Sequence, residues 1–423
     1  MLLQKPAFLL FYHARAAEAS FGEWLGVLWH GLSLDCTVAG YVTAFPVLVA
    51  LASFWIPLSQ RVWRIVLTVY FSLIALVTAA IFAVDLNLYG YWGFRLDGSV
   101  LIYLSDPGEA LASASWGEVL RQILIMLVYA GAMIWSYRWI LRLFRVEPVP
   151  LRGRIVPTVA ALLIGGLTFL AIRGGVTVAT ANVSKVYFSS NMFLNHAATN
   201  PVFSFLSSVG DNENYAEAYP FFEEERRKTL FEELRGNRPG ADAGTPRLLR
   251  SDRPNVVLIL LESFGRTIMD ETVNGEPVMP NMQRFKREGV WFENFFANSF
   301  RTDRGQVAVL CGFPAQTTMS IMKLPRKSAT LPSLARSLGR EGYRSAFMYG
   351  GDLNFTNQAS FMYSTGWEKL IWQKDMQLDA PTSKWGYADD VVVDLFGDEV
   401  EALGREEQPV SYTHLRAHET VLD

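Results

Sequence analysis

Residues 253–264, RPNVVLILLESF, decide the fold of the C-terminal part of this 423-residue chain. Six consecutive apolar residues run from Val256 to Leu261, and the run ends abruptly in the carboxylate of Glu262. A continuous apolar run of this length, rich in β-branched residues, is typical of a parallel strand buried on both faces. The sequence therefore predicts a parallel sheet in which Glu262 stands at the carboxyl end of one strand.

Helix and strand patterns alternate after this first strand. Further strands are predicted over residues 290–297 and 343–349, and helices over 280–288, 303–311, 331–341 and 388–403. Strands that alternate with helices in this way are typical of an α/β domain with a mostly parallel sheet. Open sheets of this class gather their ligands at the carboxyl ends of the strands, where Glu262 lies.

A second motif, SFRTDRG at residues 299–305, places the hydroxyl of Thr302 between Arg301 and Arg304, just before a helical pattern. A carboxylate and a hydroxyl at one sheet edge can share a divalent metal ion, and a metal-bound threonine can act as a nucleophile toward phosphorus. A helix N-terminus and neighbouring arginines would also stabilise a phosphate on that hydroxyl.

Simpler interpretations of both residues stay open at this point. Many strands end in a solvated charge, and the spacing alone favours that interpretation of Glu262. Threonine is also a good helix N-cap, so the residues alone leave Thr302 evenly divided between cap and nucleophile.

The N-terminal part of the chain has the composition of a membrane domain. Half of all residues are hydrophobic and 19% are charged. Four apolar runs are long enough to cross about 30 Å of hydrocarbon. They cover residues 38–57, 65–84, 122–140 and 155–172. A shorter run at residues 7–12 is expected to be the tail of a fifth span whose beginning is absent.

Basic residues orient this membrane domain. The turns before the second and fourth spans carry arginines such as Arg61 and Arg154, whereas the loop over residues 85–118 carries mostly acidic residues. The positive-inside rule then places the arginine-rich turns in the cytoplasm and everything after Arg173 outside it. We expect a multi-pass protein of the plasma (inner) membrane with an extracytoplasmic C-terminal domain.

Three further features complete this organisation. Residues 1–175 form the predicted transmembrane domain, and residues 176–252 form juxtamembrane helices and a linker. The two cysteines, Cys36 and Cys311, are not expected to pair, because one lies at a span end and the other in the outer domain. The net charge of −3 gives no reason to expect a nucleic-acid partner.

Taken together, the two motifs and their surroundings resemble one enzyme family. RPNVVLILLESF, the stretch over residues 279–299 and SFRTDRG resemble the sulfatase-like enzymes of the alkaline-phosphatase superfamily. The nearest branch is that of the lipoteichoic acid synthases and phosphoglycerol transferases. The resemblance implies an N-terminal α-helical transmembrane bundle followed by an α/β, alkaline-phosphatase-like domain with a mostly parallel sheet.

The resemblance also implies a chemistry. Glu262 and Thr302 would bind a divalent metal ion, Mn²⁺ or Mg²⁺, and Arg301 would contact substrate. Thr302 would attack phosphatidylglycerol, release diacylglycerol and carry glycerophosphate as an ester until an envelope glycan or polymer accepts it. The membrane lipid is then both anchor and donor.

Two departures from the family pattern qualify this expectation. Tyr349, Thr356 and Gln358 stand where lipoteichoic acid synthases carry His, Trp and Arg, so the donor or acceptor can differ. The chain also stops before the family's downstream Asp-His metal ligands. We therefore expect residues 253–410 to be an incomplete and inactive catalytic domain, and residues 411–423 to be a non-native tail.

Alternative functions come from the same fold. A phosphoethanolamine transferase shares the membrane domain and the threonine nucleophile, but such enzymes have several disulfides in the outer domain. A sulfatase-like phosphodiesterase is less consistent with Thr302, which cannot become formylglycine. A non-enzymatic alternative is a membrane envelope protein that keeps the fold and lacks the downstream metal ligands.

Overall fold

The structure is a computed structural model of the chain. It describes residues 1–98, 100–101, 115–145, 150–209, 221–236, 251, 253–262, 264–299, 301–316, 319–383, 385–402 and 409–415. Ser263, Phe300, most of the predicted linker and residues 416–423 of the predicted tail lie outside these described residues.

Four helices in the N-terminal part are long and apolar enough to cross a membrane. They are α3 (Phe21–Trp55), α4 (Gln60–Trp92), α5 (Trp116–Leu141) and α6 (Ile155–Arg173). Helices α4, α5 and α6 each contain a predicted span, and α3 contains the span predicted over residues 38–57 up to Trp55. Many of their apolar side chains are exposed in the protein, as expected of surfaces that face lipid.

Helix α3 begins well before its predicted span. Ser20 and Glu23 form a capping box at its N-terminus, and the helix continues from Phe21 into the apolar run without a break. Its 35 residues correspond to about 52 Å, which exceeds the roughly 30 Å of a bilayer's hydrocarbon core. The N-terminal turns of α3 therefore extend beyond the hydrocarbon.

Two short helices precede α3 and pack into the helical domain. They are α1 (Gln4–Phe11), which contains most of the residues predicted to end a fifth span, and α2 (His13–Ala16). Phe8 of α1 is fully buried, and the Lys5 ammonium lies 2.6 Å from the Asp35 carboxylate. Asn200 donates a second hydrogen bond to Asp35, over 2.8 Å, which ties α3 to the segment that follows α6.

Short helices connect the membrane helices to the outer domain. They are the 3-10 helix Val183–Val186, α7 (Met192–Ala198), α8 (Pro201–Ser208) and α9 (Glu224–Gly236). Asparagine side chains cap the first three of these elements. The side chain of Asn182 also donates to the carbonyl of Asn354 over 2.8 Å, so the connecting segment contacts the outer domain directly.

The outer domain is built on a four-stranded sheet whose pairings are all parallel. The strand order is β1-β8-β4-β5, with β1 at Val256–Leu261, β4 at Arg344–Tyr349, β5 at Lys369–Trp372 and β8 at Pro409–Leu415. Two small antiparallel ribbons pair β2 (Thr272–Val273) with β3 (Glu276–Pro277) and β6 (Thr382–Ser383) with β7 (Gly386–Tyr387).

Helices precede and follow these strands. They are α10 (Arg266–Met269), α11 (Pro280–Glu288), α12 (Thr302–Cys311), α13 (Pro325–Ser328), α14 (Leu334–Arg340), α15 (Gln358–Ser364) and α16 (Asp389–Ala402), with 3-10 helices at Ile321–Lys323 and Phe355–Asn357. The bounds of β1 and α11 agree with the predicted bounds to the residue. The core beneath the sheet includes the fully buried rings of Phe347 and Phe361 and the nearly buried Trp367.

The strand predicted over residues 290–297 is wrong. This segment is irregular, and its aromatic side chains are largely exposed, with Phe292 at 72% and Phe296 at 84%. Its composition is strand-like, but a strand forms only against a hydrogen-bonded neighbour, and no strand within the described ranges pairs with it.

Residues 411–415, which the sequence assigned to a non-native tail, belong to β8 in the structure. The backbone of β8 pairs with β1 on one side and with β4 on the other. The assignment of residues 411–423 as a non-native tail stays a prediction.

Gly386 is required by the packing of the β6–β7 ribbon against the end of β4. Its φ of +114° is outside the range that other residues adopt, and a Cβ there would overlap the carbonyl oxygen of Gly350. That carbonyl accepts a hydrogen bond from the Tyr387 amide over 3.0 Å, so it cannot move away freely. Gly397 in α16, by contrast, has open space around its Cα.

We therefore expect Gly386→Ala to destabilise the protein by about 2 kcal/mol or more, because it combines backbone strain with overlap. Gly397→Ala is the matched control and should be neutral or slightly stabilising, since alanine favours a helix. Thermal unfolding of both purified variants in detergent measures the difference. Equal midpoints for the two variants would contradict this account of Gly386.

Candidate functional site

The parallel sheet positions Glu262. The carboxyl ends of β1, β8, β4 and β5 all meet at one edge, because every pairing is parallel. Glu262 directly follows Leu261, the last residue of β1, and its half-buried side chain therefore stands at that edge. This is where open α/β sheets place their ligands.

Helix α12 positions Thr302 opposite this carboxylate. Thr302 is the first residue of the helix, and its Oγ1 hydroxyl donates a hydrogen bond to Oε1 of Glu262 over 2.6 Å. A hydroxyl–carboxylate bond of this length is at the strong end of the range. The structure thus brings together the two side chains that the sequence singled out, 40 residues apart in the chain. Their roles as nucleophile and metal ligands stay predictions.

The alternative role of Thr302 as a helix cap is not what the structure shows. The N-cap of α12 is Arg301, whose backbone is extended and whose side chain makes no capping hydrogen bond. Because Thr302 lies inside the first turn, its hydroxyl is directed to Glu262 instead of to the helix amides. The partial positive charge of the helix N-terminus lies at the same place.

The arginines of the SFRTDRG motif have different environments. Arg301 is 45% exposed, and its Nε lies 3.3 Å from the buried carboxylate of Asp303. An ion pair with one solvated partner adds little stability, so the guanidinium of Arg301 is available to solution at modest cost. Arg304, by contrast, is buried beneath the helix.

The start of α12 is fixed from below by Ser320. The Ser320 hydroxyl is buried and donates to the carbonyl oxygen of Asp303 over 2.7 Å. At the other end the helix stops at Gly312, in the left-handed conformation with φ of +63°.

Burial raises the pKa of the Cys311 thiol to about 11, so this side chain is a protonated core residue at neutral pH.

The oxygen atoms at this site fit part of a metal coordination sphere. A carboxylate and a hydroxyl 2.6 Å apart are the ligand types that Mg²⁺ and Mn²⁺ prefer. No group of three or more His, Cys, Asp or Glu side chains that could hold a metal occurs in the part of the chain that the structure describes. Glu262 and Thr302 are therefore a possible pair of ligands and not a complete site.

Of the three positions that depart from the family pattern, Tyr349 lies at this edge. Tyr349 ends β4 and is buried. Gln358 is buried at the start of α15, and Thr356 adopts a left-handed conformation with φ of +54°. None of these three side chains carries a charge.

Sequence reasoning did not identify a group of basic residues near α13. Lys323, Arg326 and Lys327 line a cavity together with Arg95, which lies just beyond the end of α4. The signal available in the sequence was the short basic stretch KLPRK at residues 323–327. Arg95 is the single arginine of the acidic loop over residues 85–118, and nothing in the sequence places it beside that stretch.

The fold defines a class of protein, namely one with an α/β domain that follows a set of helices long and apolar enough to cross a membrane. Residues 254–417 match the family model described as Sulfatase. The parallel sheet and this match confirm the predicted fold class, and the outer part of the chain is similar to the Sulfatase family over these residues.

The relatives of this domain are phosphoglycerol transferases. The chain is 34% identical over 174 residues to phosphoglycerol transferase I of Xanthomonas euvesicatoria pv. vesicatoria, which covers 38% of this chain and 24% of that protein. It is 28% identical over 166 residues to phosphoglycerol transferase I of Salmonella choleraesuis, covering 37% and 22%. The chain thus spans about a quarter of the length of these curated relatives.

Among solved structures, the chain is similar to a protein in the alkaline phosphatase superfamily from Vibrio parahaemolyticus. The TM-score is 0.40 at 24% identity, and the match covers 46% of this chain and 49% of that one.

The bond from Ser320 to Asp303 gives a test of how the site is held. Ser320→Ala should lower the free energy of unfolding by about 1–2 kcal/mol, because it removes a buried hydrogen bond to the first turn of α12. Ser337→Ala, at an exposed helical position, is the control and should change it by less than about 0.5 kcal/mol. Chemical denaturation followed by tryptophan fluorescence measures both. A Ser320→Ala variant as stable as the control would show that this bond does not fix α12.

Proposed function

We propose that the protein is a membrane-anchored, extracytoplasmic transferase that moves glycerophosphate from phosphatidylglycerol, through an ester on Thr302, to an envelope glycan or polymer. The observation that carries this proposal is the 2.6 Å hydrogen bond from the Thr302 hydroxyl to Glu262. The family match and the names of the relatives support the same type of group transfer.

In the first step, Oγ1 of Thr302 attacks the phosphorus of the phosphodiester. The bond between phosphorus and the diacylglycerol oxygen breaks, and that oxygen leaves with the proton that the Thr302 hydroxyl gives up. Glu262 already accepts the Thr302 hydroxyl proton as a hydrogen bond, so it is placed to receive that proton as the oxygen becomes a nucleophile. The product on the protein is a glycerophosphate ester of Thr302.

Glu262 and Thr302 would hold a divalent ion, Mn²⁺ or Mg²⁺, together with ligands that the described residues do not supply. When bound, such an ion lowers the pKa of the hydroxyl and offsets charge on the phosphate oxygens.

In the second step, a hydroxyl of the acceptor attacks the phosphorus of the ester and Thr302 is released with its proton. The N-terminus of α12 and the exposed guanidinium of Arg301 are placed to bind the phosphate oxygens in both steps. The bond from Ser320 holds this helix end in place between the steps.

The membrane helices hold the outer domain next to the bilayer that contains its phospholipid donor. A phospholipid donor is restricted to the bilayer, so a domain tethered beside the bilayer meets it at a high effective concentration. We place the protein in the plasma (inner) membrane with the catalytic domain outside the cytoplasm, on the strength of the arginine-rich turns.

The nucleophile is tested by removing the hydroxyl in the natural polypeptide that carries this sequence. Thr302→Ala should reduce diacylglycerol release from phosphatidylglycerol by roughly a thousandfold or more, because no other group can form the ester. Release is measured with radiolabelled lipid in detergent micelles, and trapped ester is sought by mass spectrometry of the tryptic peptide.

Thr302→Ser is the matched control, since it keeps a hydroxyl at the same place and should retain part of the activity. Phosphatidylethanolamine in place of phosphatidylglycerol distinguishes the alternative transferase. Unchanged release by Thr302→Ala, or release from phosphatidylethanolamine alone, would rule out the proposal.

Metal dependence is tested separately. EDTA should abolish diacylglycerol release, and added Mn²⁺ or Mg²⁺ should restore it. Glu262→Gln should also weaken Mn²⁺ binding, measured by electron paramagnetic resonance, by roughly tenfold or more, because it removes a charged ligand. Glu271→Gln, at an exposed carboxylate outside the site, is the control. Equal Mn²⁺ affinity in the two variants would contradict the role of Glu262 as a ligand.

A further inference from the structure

A cavity of about 650 Å³ lies between the helical domain and the outer domain. Its walls come from residues just beyond α4, from the connecting segment around α7 and α8, and from α13 and its neighbouring 3-10 helices. Because α4 ends at Trp92, the cavity lies at the level where a membrane-spanning helix leaves the bilayer. Its volume is in the range of ordinary ligand sites.

The cavity lining is strongly basic. It includes four basic side chains, those of Arg95, Lys323, Arg326 and Lys327, and a single acidic one, that of Asp97. Asp97 accepts a hydrogen bond from Arg326 over 3.2 Å, so its charge is already offset. The exposed ammonium groups of Lys323 and Lys327 have no ion-pair partner among the described residues.

Arg95 distinguishes this cavity from an ordinary charged surface, because a buried charged side chain forms part of its wall. Its side chain is 98% buried, and one of its terminal nitrogens lies 3.0 Å from the carboxylate of Asp85. Its Nε and Nη1 atoms are buried and have no hydrogen-bond partner within the described ranges. Buried donors of a charged group without an acceptor are costly, and the positive charge of this guanidinium at the cavity wall favours an anion there.

His196 adds a neutral donor to the same wall. It is almost completely buried, and its Nδ1 atom lies 3.1 Å from the Tyr89 hydroxyl. Burial lowers the pKa of His196 to about 3, so the ring is uncharged at neutral pH. In the tautomer in which Nδ1 accepts from Tyr89, Nε2 carries the hydrogen, and no described residue accepts it.

The remaining lining is largely apolar. Phe94, Phe203 and Leu324 contribute hydrophobic side chains beside these donors. A ligand that suits the cavity therefore combines an anionic group with an apolar body. At the outer end of a membrane-spanning helix, the molecule with that combination is an anionic phospholipid.

We propose that this cavity binds the phosphodiester head group of an anionic membrane phospholipid, with Arg95, Lys323 and Lys327 as its cationic contacts. The lipid site adjoins the reaction site through Ser320, which holds Asp303 of α12 and directly precedes the 3-10 helix that carries Lys323. That the bound lipid is the donor rests on the proposed function, whereas the binding itself does not.

The experiment compares lysine acylation in nanodiscs that contain the whole chain. Discs of phosphatidylcholine alone are compared with discs that also contain phosphatidylglycerol, and each lysine is quantified by mass spectrometry. At a lipid concentration about four times the Kd, occupancy should slow acylation of Lys323 and Lys327 roughly fivefold. Lys374, an exposed lysine that does not line the cavity, is the internal control and should not change.

Arg95→Lys tests the buried guanidinium. This variant keeps a cation beside Asp85 but removes the planar set of donors, so protection of Lys323 and Lys327 should fall by about half or more. Thermal unfolding verifies that the variant is folded, and Lys323→Gln, at an exposed position, gives a second variant in which protection of Lys327 should also fall.

Three results would overturn the proposal. They are equal acylation in both kinds of disc, equal protection of Lys374, and protection that survives unchanged in both variants. Protection by inorganic phosphate added to phosphatidylcholine discs would assign the cavity to a free anion and overturn the lipid assignment. In Thr302→Ala, phosphatidylglycerol should protect Lys323 and Lys327 from acylation as it does in the unchanged protein. A failure of the proposed reaction would leave this protection intact, whereas a failure of the lipid site would remove it.

Discussion

The site depends on one constraint, namely that parallel strands all end at the same edge of a sheet. Because β1 pairs in parallel, the chain must leave it at the edge where the other strands also end, and Glu262 is the first residue beyond it. Helix α12 then needs only to begin at that edge for Thr302 to reach the carboxylate. The 2.6 Å bond between them follows from strand direction and from the position of one helix N-terminus.

A second constraint comes from the buried charges of the helical domain. Two ion pairs, Lys5–Asp35 and Arg95–Asp85, lie almost wholly out of water. Such pairs are poor sources of stability, because the desolvation of both ions offsets most of their attraction. Such pairs do fix the positions of both side chains, because burying either charge without its partner would cost far more free energy. The Asp85 pair in particular holds Arg95 at the wall of the cavity, with donors left for a ligand.

The sequence predicted what short-range patterns control, and it did not predict contacts between distant segments. The bounds of β1 and α11 and the meeting of Glu262 with Thr302 follow from hydrophobic patterns, from glycine and proline positions and from the edge rule. The strand at residues 290–297 was wrong because strand formation requires a partner that a local pattern cannot reveal. The cavity could not be predicted because Arg95 and Lys323 are separated by more than half the chain.

Strand β1 is apolar on both faces, although only one face is covered by the core of the described residues. Val256, Leu258 and Leu260 pack against the core, whereas the alternate residues, including Val257 and Ile259, are about half exposed. A strand exposed to water on one face usually alternates apolar with polar residues, and this strand is apolar on both. Burial of apolar surface contributes about 25 cal/mol per Å² to the free energy of unfolding, so a face that stays in water does not make this contribution. The composition of β1 is therefore that of a strand covered on both faces, and within the described ranges the cover on the second face is partial.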